Sequence, residues 1–80
     1  MEFSEEVFAA IEAVTREPEV RANHDLALFE PQVLDSLRTI MLVVELNTRF
    51  GVDIALSEID RDVWATPSRI VTFVEERVDR

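Results

Sequence analysis

The chain has 80 residues, of which 48% are apolar, and its 17 acidic and 8 basic side chains give a net charge of −9. This length predicts a single domain over residues 1–80, with a core too small to enclose a large active-site cavity. The acidity argues against nucleic acid and anionic membranes as partners. Either it attracts basic protein surfaces, or it only keeps a small domain soluble. Because the chain has no cysteine, a disulfide and a thiolate metal site are both excluded.

The N-terminal segment, MEFSEEVF, is acidic and lacks the basic and apolar regions of a signal peptide. No apolar run is long enough to cross a bilayer. We therefore expect a cytoplasmic protein that does not insert into membranes.

The first predicted helix begins at Ser4, a favourable N-cap residue. Phe3 and Phe8 occupy the positions of a hydrophobic staple across this cap. Apolar residues then recur at helical spacing as far as Val14, and Pro18 ends the pattern.

A long connection follows, over residues 16–35, and it contains two prolines. Connections of this length without regular structure are uncommon in compact domains and usually serve a function. The segment has apolar anchors of its own, so we expect it to be pinned across the bundle. These anchors are Val20, Leu26, Leu28, Phe29, Val33 and Leu34.

The second helix is predicted over residues 36–50, with Gly51 as a left-handed C-terminal cap. It carries two apolar stripes where packing on one side needs only one. The first stripe is Leu42, Val43, Leu46 and Phe50. The second is Leu37, Ile40, Met41 and Val44. Either the helix is buried all round, or the second stripe meets a partner protein or an apolar group of a ligand.

The remaining elements are short. Ile54 and Leu56 belong to a linker, and Ser57 is expected to cap a brief third helix over residues 58–62. Thr66-Pro67 marks the start of the last helix. The apolar stripe of this helix is Ile70, Val71, Val74 and Val78. Together these elements predict an all-α fold, a small four-helix bundle with a long first loop and a short third helix.

Several residues that could carry chemistry have simpler interpretations. The only histidine, His24, lies in the long loop without a surrounding motif, which argues against a serine hydrolase. Asp53, Asp60 and Asp62 do not have the spacing of a calcium loop and are interpreted as surface acids. Trp64 is expected to anchor the core beside the last helix. Arg61, which lies between two acids, is expected to form local ion pairs of little energetic value.

Asp35 and Ser36 stand where the long loop meets the second helix. Either residue can serve as the N-cap there. The positive end of the helix dipole and its free N–H groups also favour an anion such as a phosphodiester at this position.

At these residues the chain resembles a known family. Asp35-Ser36-Leu37 is similar to the Asp-Ser-Leu signature of acyl and peptidyl carrier proteins, and it stands at the start of the second helix of a short acidic chain. A second segment, EIDRDVWATP over residues 58–67, resembles the third-helix region of D-alanyl carrier proteins. The resemblance covers roughly residues 26–74.

The resemblance implies an all-α bundle of the acyl-carrier-protein type that is not itself an enzyme. Ser36 would carry 4'-phosphopantetheine, attached by a phosphopantetheinyl transferase, and Asp35 would help to orient that transferase and its magnesium. An adenylating ligase would load the arm, and a downstream acyltransferase would receive the load. In D-alanyl carrier proteins the load is D-alanine, destined for teichoic acids of the cell wall.

The second stripe and Arg38 would form the partner face: Leu37, Arg38, Ile40, Met41 and Val44. Arg38 and Met41 depart from the family pattern. Carrier proteins usually have a small or acidic residue at the position of Arg38 and commonly an acidic one at that of Met41. We expect a monomer that meets its partners through small, transient interfaces. The alternatives are a carrier of fatty-acyl or other aminoacyl groups and an unmodified helical module that binds other proteins.

Overall fold

The computed structural model describes residues 2–29, 34–60 and 62–78. Within these ranges the chain forms four α-helices, one 3-10 turn and no strand. In chain order they are α1 (Phe3–Thr15), α2 (Glu19–Ala22), α3 (Ser36–Phe50), the 3-10 turn (Leu56–Glu58) and α4 (Pro67–Val78). The predicted all-α bundle is confirmed.

The core is organised around α1, which packs against each of the other three helices. Val7, Ala10 and Ile11 lie on its inner side and are fully buried. Full burial of a valine or isoleucine side chain contributes about 1.5–3 kcal/mol. The other fully buried apolar side chains come from every part of the described chain: Val20, Leu28, Leu34, Leu42, Leu46, Trp64, Pro67, Ile70 and Val74.

The start of α1 differs from the prediction. The helix begins at Phe3, one residue before the expected cap Ser4, and no side chain caps it. The N–H of Glu6 donates to the carbonyl of Glu2, 3.1 Å away. Phe3 packs on Phe50 at the end of α3, with ring centroids 5.1 Å apart. The predicted staple is therefore wrong, because Phe3 lies inside the helix and has a tertiary partner there.

The long first connection contains a helix that the sequence pattern did not predict. α2 spans only Glu19–Ala22, too short to show a helical repeat, and it follows Pro18 directly. α1 ends before it at Thr15, where Arg16 adopts the left-handed conformation. The single inward-facing side chain of α2 is Val20, which is fully buried.

The rest of this connection is pinned across the bundle, as predicted. Leu28 and Leu34 are buried, and Leu26 and Phe29 pack partly against the core, whereas Val33 lies outside the described residues. Backbone hydrogen bonds tie the loop to the segment that enters α4. The N–H of Leu28 donates to the carbonyl of Ala65 (3.0 Å), and the N–H of Ser68 donates to that of His24 (3.0 Å). These bonds hold the loop against the bundle just before α3 begins.

The predicted third helix is wrong. Instead of a helix over residues 58–62, the chain forms the 3-10 turn Leu56–Glu58, in which Ser57 is an interior residue and not a cap. The Asp60 carboxylate accepts the Val63 N–H at 2.8 Å, and this local bond competes with continued helix formation. Arg61, predicted to form ion pairs, lies outside the described residues.

The start of α4 matches the prediction. The Thr66 hydroxyl accepts the Arg69 N–H at 3.3 Å, and Pro67 is the first helical residue. Trp64 is fully buried just before the helix, as expected, and packs edge-to-face with Phe73, with ring centroids 5.8 Å apart. The predicted stripe needs one correction. Val78 is 39% exposed near the end of the chain, while Phe73 is buried against the indole.

Candidate functional site

The site is built at the start of α3, whose predicted bounds are confirmed. The helix runs from Ser36 to Phe50 and ends at Gly51, which has a positive φ of 65°. The N–H of Gly51 donates to the carbonyl of Asn47 at 3.0 Å, which closes the last turn. Glycine adopts this left-handed conformation without the steric cost that a Cβ would add.

The helix geometry decides between the two possible caps. Asp35 has an extended backbone conformation, and its carboxylate accepts the Arg38 N–H at 2.8 Å, so Asp35 is the N-cap. Ser36 is the first helical residue and is exposed. Its hydroxyl forms no hydrogen bond with any residue that the structure describes.

The two stripes of α3 lie in different environments. Leu42, Val43 and Leu46 are buried in the core. Phe50, the last residue of the same stripe, packs partly against the core. The four residues of the second stripe are exposed by 66% (Leu37), 45% (Ile40), 47% (Met41) and 59% (Val44), and we call them the exposed α3 face. This result excludes a helix buried all round and confirms that α3 presents a second apolar surface.

A cavity of about 390 Å³ opens beside Ser36. Three segments of the chain meet there: the end of the first connection, the first turn of α3, and the segment that includes the 3-10 turn. Sequence periodicity did not reveal this cavity, because its wall combines lining residues from 29–40 with others from 56–60, which are not neighbours in the chain. The lining residues are Phe29, Leu34, Asp35, Ser36, Thr39, Ile40, Leu56, Ile59 and Asp60.

Two sets of polar contacts fix the segment 54–58, which contributes Leu56 to the cavity wall. The Asn47 side chain donates to the carbonyl of Ile54 (3.2 Å) and accepts the N–H of the same residue (2.8 Å). At the end of the 3-10 turn, Glu58 accepts from Arg77 of α4 and from the Ala55 N–H. The hydrogen bond from Arg77 is the main cause of a lowered pKa at Glu58. These contacts join the 3-10 turn to α3 and α4.

Other candidate residues are not brought into the site. His24 is exposed and stacks on the Phe8 ring of α1, with centroids 4.0 Å apart, and it does not line the cavity around Ser36. The described residues contain no cluster of three or more His, Cys, Asp or Glu side chains that could hold a metal ion. None of the described helices combines the length and the apolar character that a membrane span needs.

Comparison with known proteins identifies the class that this fold and site define. A family model described as "Phosphopantetheine attachment site" matches residues 5–74. The chain belongs to this family of phosphopantetheine-bearing carrier proteins.

More specific relatives are named D-alanyl carrier protein. The one from Bacillus velezensis is 41% identical over 95% of this chain and 97% of its own length. Those from Enterococcus faecalis (41%) and Lactococcus lactis subsp. lactis (43%) each align with 94% of this chain and with 96% and 95% of their own lengths, respectively. The predicted resemblance to D-alanyl carrier proteins is confirmed. The prediction of a carrier rather than an enzyme is confirmed as well, because these relatives are carriers. The cofactor of the family is 4'-phosphopantetheine.

Proposed function

We propose that Ser36 is the attachment residue for 4'-phosphopantetheine. The observation that carries this proposal is an exposed serine hydroxyl, without a partner among the described residues, on the first turn of a helix in a phosphopantetheine-attachment domain. The neighbouring Asp35 caps the helix, so Ser36 is not needed for that role. A phosphodiester at this position is also favoured by the helix dipole and by the N–H groups of the first turn.

In the attachment reaction, the Ser36 oxygen attacks the β-phosphate of coenzyme A. A phosphoester bond forms to Ser36, the pyrophosphate bond breaks, adenosine 3',5'-bisphosphate leaves, and the hydroxyl proton passes to a base of the transferase. Asp35 keeps Ser36 on the first helical turn and helps to orient the transferase and its magnesium. When bound, the arm supplies a terminal thiol that takes an acyl group as a thioester. The chain has no cysteine and therefore no thiol of its own for this chemistry.

The cargo that the relatives support is D-alanine, since proteins about 40% identical over most of this chain are named for carrying it. An adenylating ligase loads this amino acid at the expense of ATP, and a downstream acyltransferase receives it. The carrier acts in the cytoplasm as a single domain and as a monomer.

The exposed α3 face, together with the neighbouring Arg38, is the surface that these enzymes contact. Four apolar side chains on one side of a helix fit an apolar groove of a partner. The flexible thioether of Met41 suits a surface that must fit several partners in turn. The face contains few residues, which is consistent with weak complexes that release the carrier after each step.

Attachment is tested by incubating the purified protein with a broad-specificity phosphopantetheinyl transferase, magnesium and coenzyme A, and then measuring intact mass. We expect wild type and Ser57→Ala to gain the mass of one phosphopantetheine, while Ser36→Ala gains none. Ser57 is a suitable control because it is an exposed serine in the neighbouring 3-10 turn. An unmodified wild type would support the alternative of a helical interaction module. Modification of Ser36→Ala would show that the attachment site is another residue.

The cargo is tested on the modified protein with a purified D-alanine-adenylating ligase, ATP and either D-alanine or L-alanine. We expect a hydroxylamine-sensitive mass gain with D-alanine that requires ATP and the modified Ser36. Loading by a fatty-acid or other amino-acid ligase but not by this ligase would replace D-alanine with that cargo.

A further inference from the structure

The exposed α3 face has two edges of different charge. At about 100° per residue around the helix axis, Arg38, Glu45 and Arg49 follow Met41 on one edge. The described residues of this edge therefore include two cations and one anion, although the whole chain has a net charge of −9. On the other edge, Ile40 borders the cavity that Asp35 and Asp60 also line.

On the edge of the helix next to Met41, Arg38 is the cation without a partner among the described residues. Arg49 is paired with Glu45 at 2.5 Å, four residues earlier on the same helix. Arg38 is half-buried, but its guanidinium group forms no hydrogen bond or ion pair with any described residue. Arg21 and Arg77, in contrast, are each paired with a glutamate.

An unpaired guanidinium group at the border of an apolar surface favours a partner with a carboxylate at the matching position. Such a contact at the rim of an interface speeds association and fixes orientation more than it adds affinity. The planar guanidinium group can also bind a carboxylate through two parallel hydrogen bonds.

The positive charge of Arg38 also has different consequences for the transferase, which modifies the carrier, and for the ligase, which loads it. The transferase must hold the phosphates of coenzyme A next to Ser36, so its surface there requires cations, which Arg38 repels. The ligase receives the far end of the arm, and its surface beside α3 has no coenzyme A phosphates to bind. An acidic group is therefore compatible with the ligase surface.

We propose that Arg38 is a specificity residue for the adenylating ligase, whose docking groove receives the exposed α3 face and places an acidic side chain opposite this arginine. The inference rests on the proposed function of the chain as a loaded carrier. It assigns to the ligase a groove that is apolar at its centre and acidic at one border. The pairing fixes which way round the carrier binds.

The test compares Arg38→Gln and Arg38→Glu with Arg16→Gln and Arg16→Glu. Arg16 lies at the end of α1 and, like Arg38, has no side-chain partner among the described residues, so each pair of variants changes net charge equally. All variants are first converted to the phosphopantetheine form with excess transferase and checked by intact mass. Loading by a purified D-alanine-adenylating ligase from the same genome is then measured at low and high salt. Binding of this ligase to the unmodified variants is measured separately by titration.

We expect kcat/KM for loading to fall about fivefold in Arg38→Gln and about tenfold in Arg38→Glu, through KM, at low salt. The decrease is smaller at high salt, because screening weakens an exposed pair. The ligase binds the unmodified Arg38 variants more weakly by similar factors, and both Arg16 variants stay within twofold of wild type. Equal effects at the two positions, or normal loading and binding of Arg38→Glu, would overturn the inference while leaving the proposed carrier function intact. Failure of the wild type to gain phosphopantetheine or D-alanine would instead reject the proposed function itself.

Discussion

Leu37 and Leu42 are the same residue type on the same helix, yet they have opposite roles. Leu42 is fully buried against the core, whereas Leu37 is 66% exposed. The core face of α3 stabilises the domain, and the exposed α3 face is free to contact other proteins. The comparison shows that apolar character by itself does not reveal which residues hold a small helical domain together.

The largest expected effect separates these two leucines by stability. Leu42→Ala removes a fully buried side chain, and we expect the free energy of unfolding to fall by about 2–5 kcal/mol. Leu37→Ala removes a mostly exposed side chain and changes the same quantity by less than about 0.5 kcal/mol. Urea unfolding followed by the fluorescence of Trp64, the only tryptophan, measures both. Equal losses at the two positions would contradict the assignment of the two faces.

The second prediction concerns loading by the ligase, for which the exposed α3 face is expected to matter more than it does for stability. In the double variant Leu37→Ala/Met41→Ala we expect kcat/KM for ligase loading to fall about tenfold, because apolar contact area with the partner is lost. The variant stays folded, since both side chains are largely exposed. Circular dichroism and thermal unfolding provide the control. A loading rate equal to that of wild type would show that the ligase contacts another surface.

The third prediction concerns the N-cap of α3. Asp35→Ala removes the carboxylate that caps α3, and we expect a loss of about 1 kcal/mol in the free energy of unfolding. Asp35→Asn keeps an oxygen that can accept the Arg38 N–H and is expected to stay close to wild-type stability. The rates of phosphopantetheine attachment to the two variants then distinguish the capping role of Asp35 from the role of its negative charge. Slow attachment in Asp35→Asn, despite a stable helix, would indicate that the carboxylate acts on the transferase.

The smallest effect is expected at the edge of the cavity, where the 3-10 turn meets α4. The hydrogen bond from Arg77 is the main cause that holds the pKa of Glu58 below its usual range. A lowered folded-state pKa gives a stabilising contribution that is present above the unfolded pKa and is lost as pH falls through the folded value. We therefore expect the Glu58–Arg77 pair to contribute slightly less stability as the pH falls below 4.5, the ordinary pKa of glutamate.

The control for the acid prediction is Glu58→Gln, which can still accept the Ala55 N–H but does not titrate. Unfolding midpoints of wild type and variant are compared at pH 6 and pH 3.5. The stability difference between the two proteins is expected to shrink at the lower pH. A difference that stays constant would assign the pH dependence to other carboxylates.

Local sequence signals predicted the elements that have strong terminal residues. α3 was predicted to the residue because Asp35 stands at one end and Gly51 at the other, and each acts through a hydrogen bond within a single turn. The start of α4 was predicted for the same reason, from Thr66 and Pro67. The errors fell on short or tertiary features. α2 is only four residues long, and Phe3 joins α1 where it can pack on Phe50.

The sequence by itself determined the existence of two apolar stripes on α3 and the position of Ser36 between the loop and the helix, because helical periodicity and capping are local properties. Only the tertiary structure decided which stripe is buried, since α1 covers one side of α3 and no described element buries the other. It also decided that the 3-10 turn and the first connection meet beside Ser36 to form a cavity. That outcome depends on long-range packing and on the contacts of Asn47 and Arg77, which no local pattern in the chain specifies.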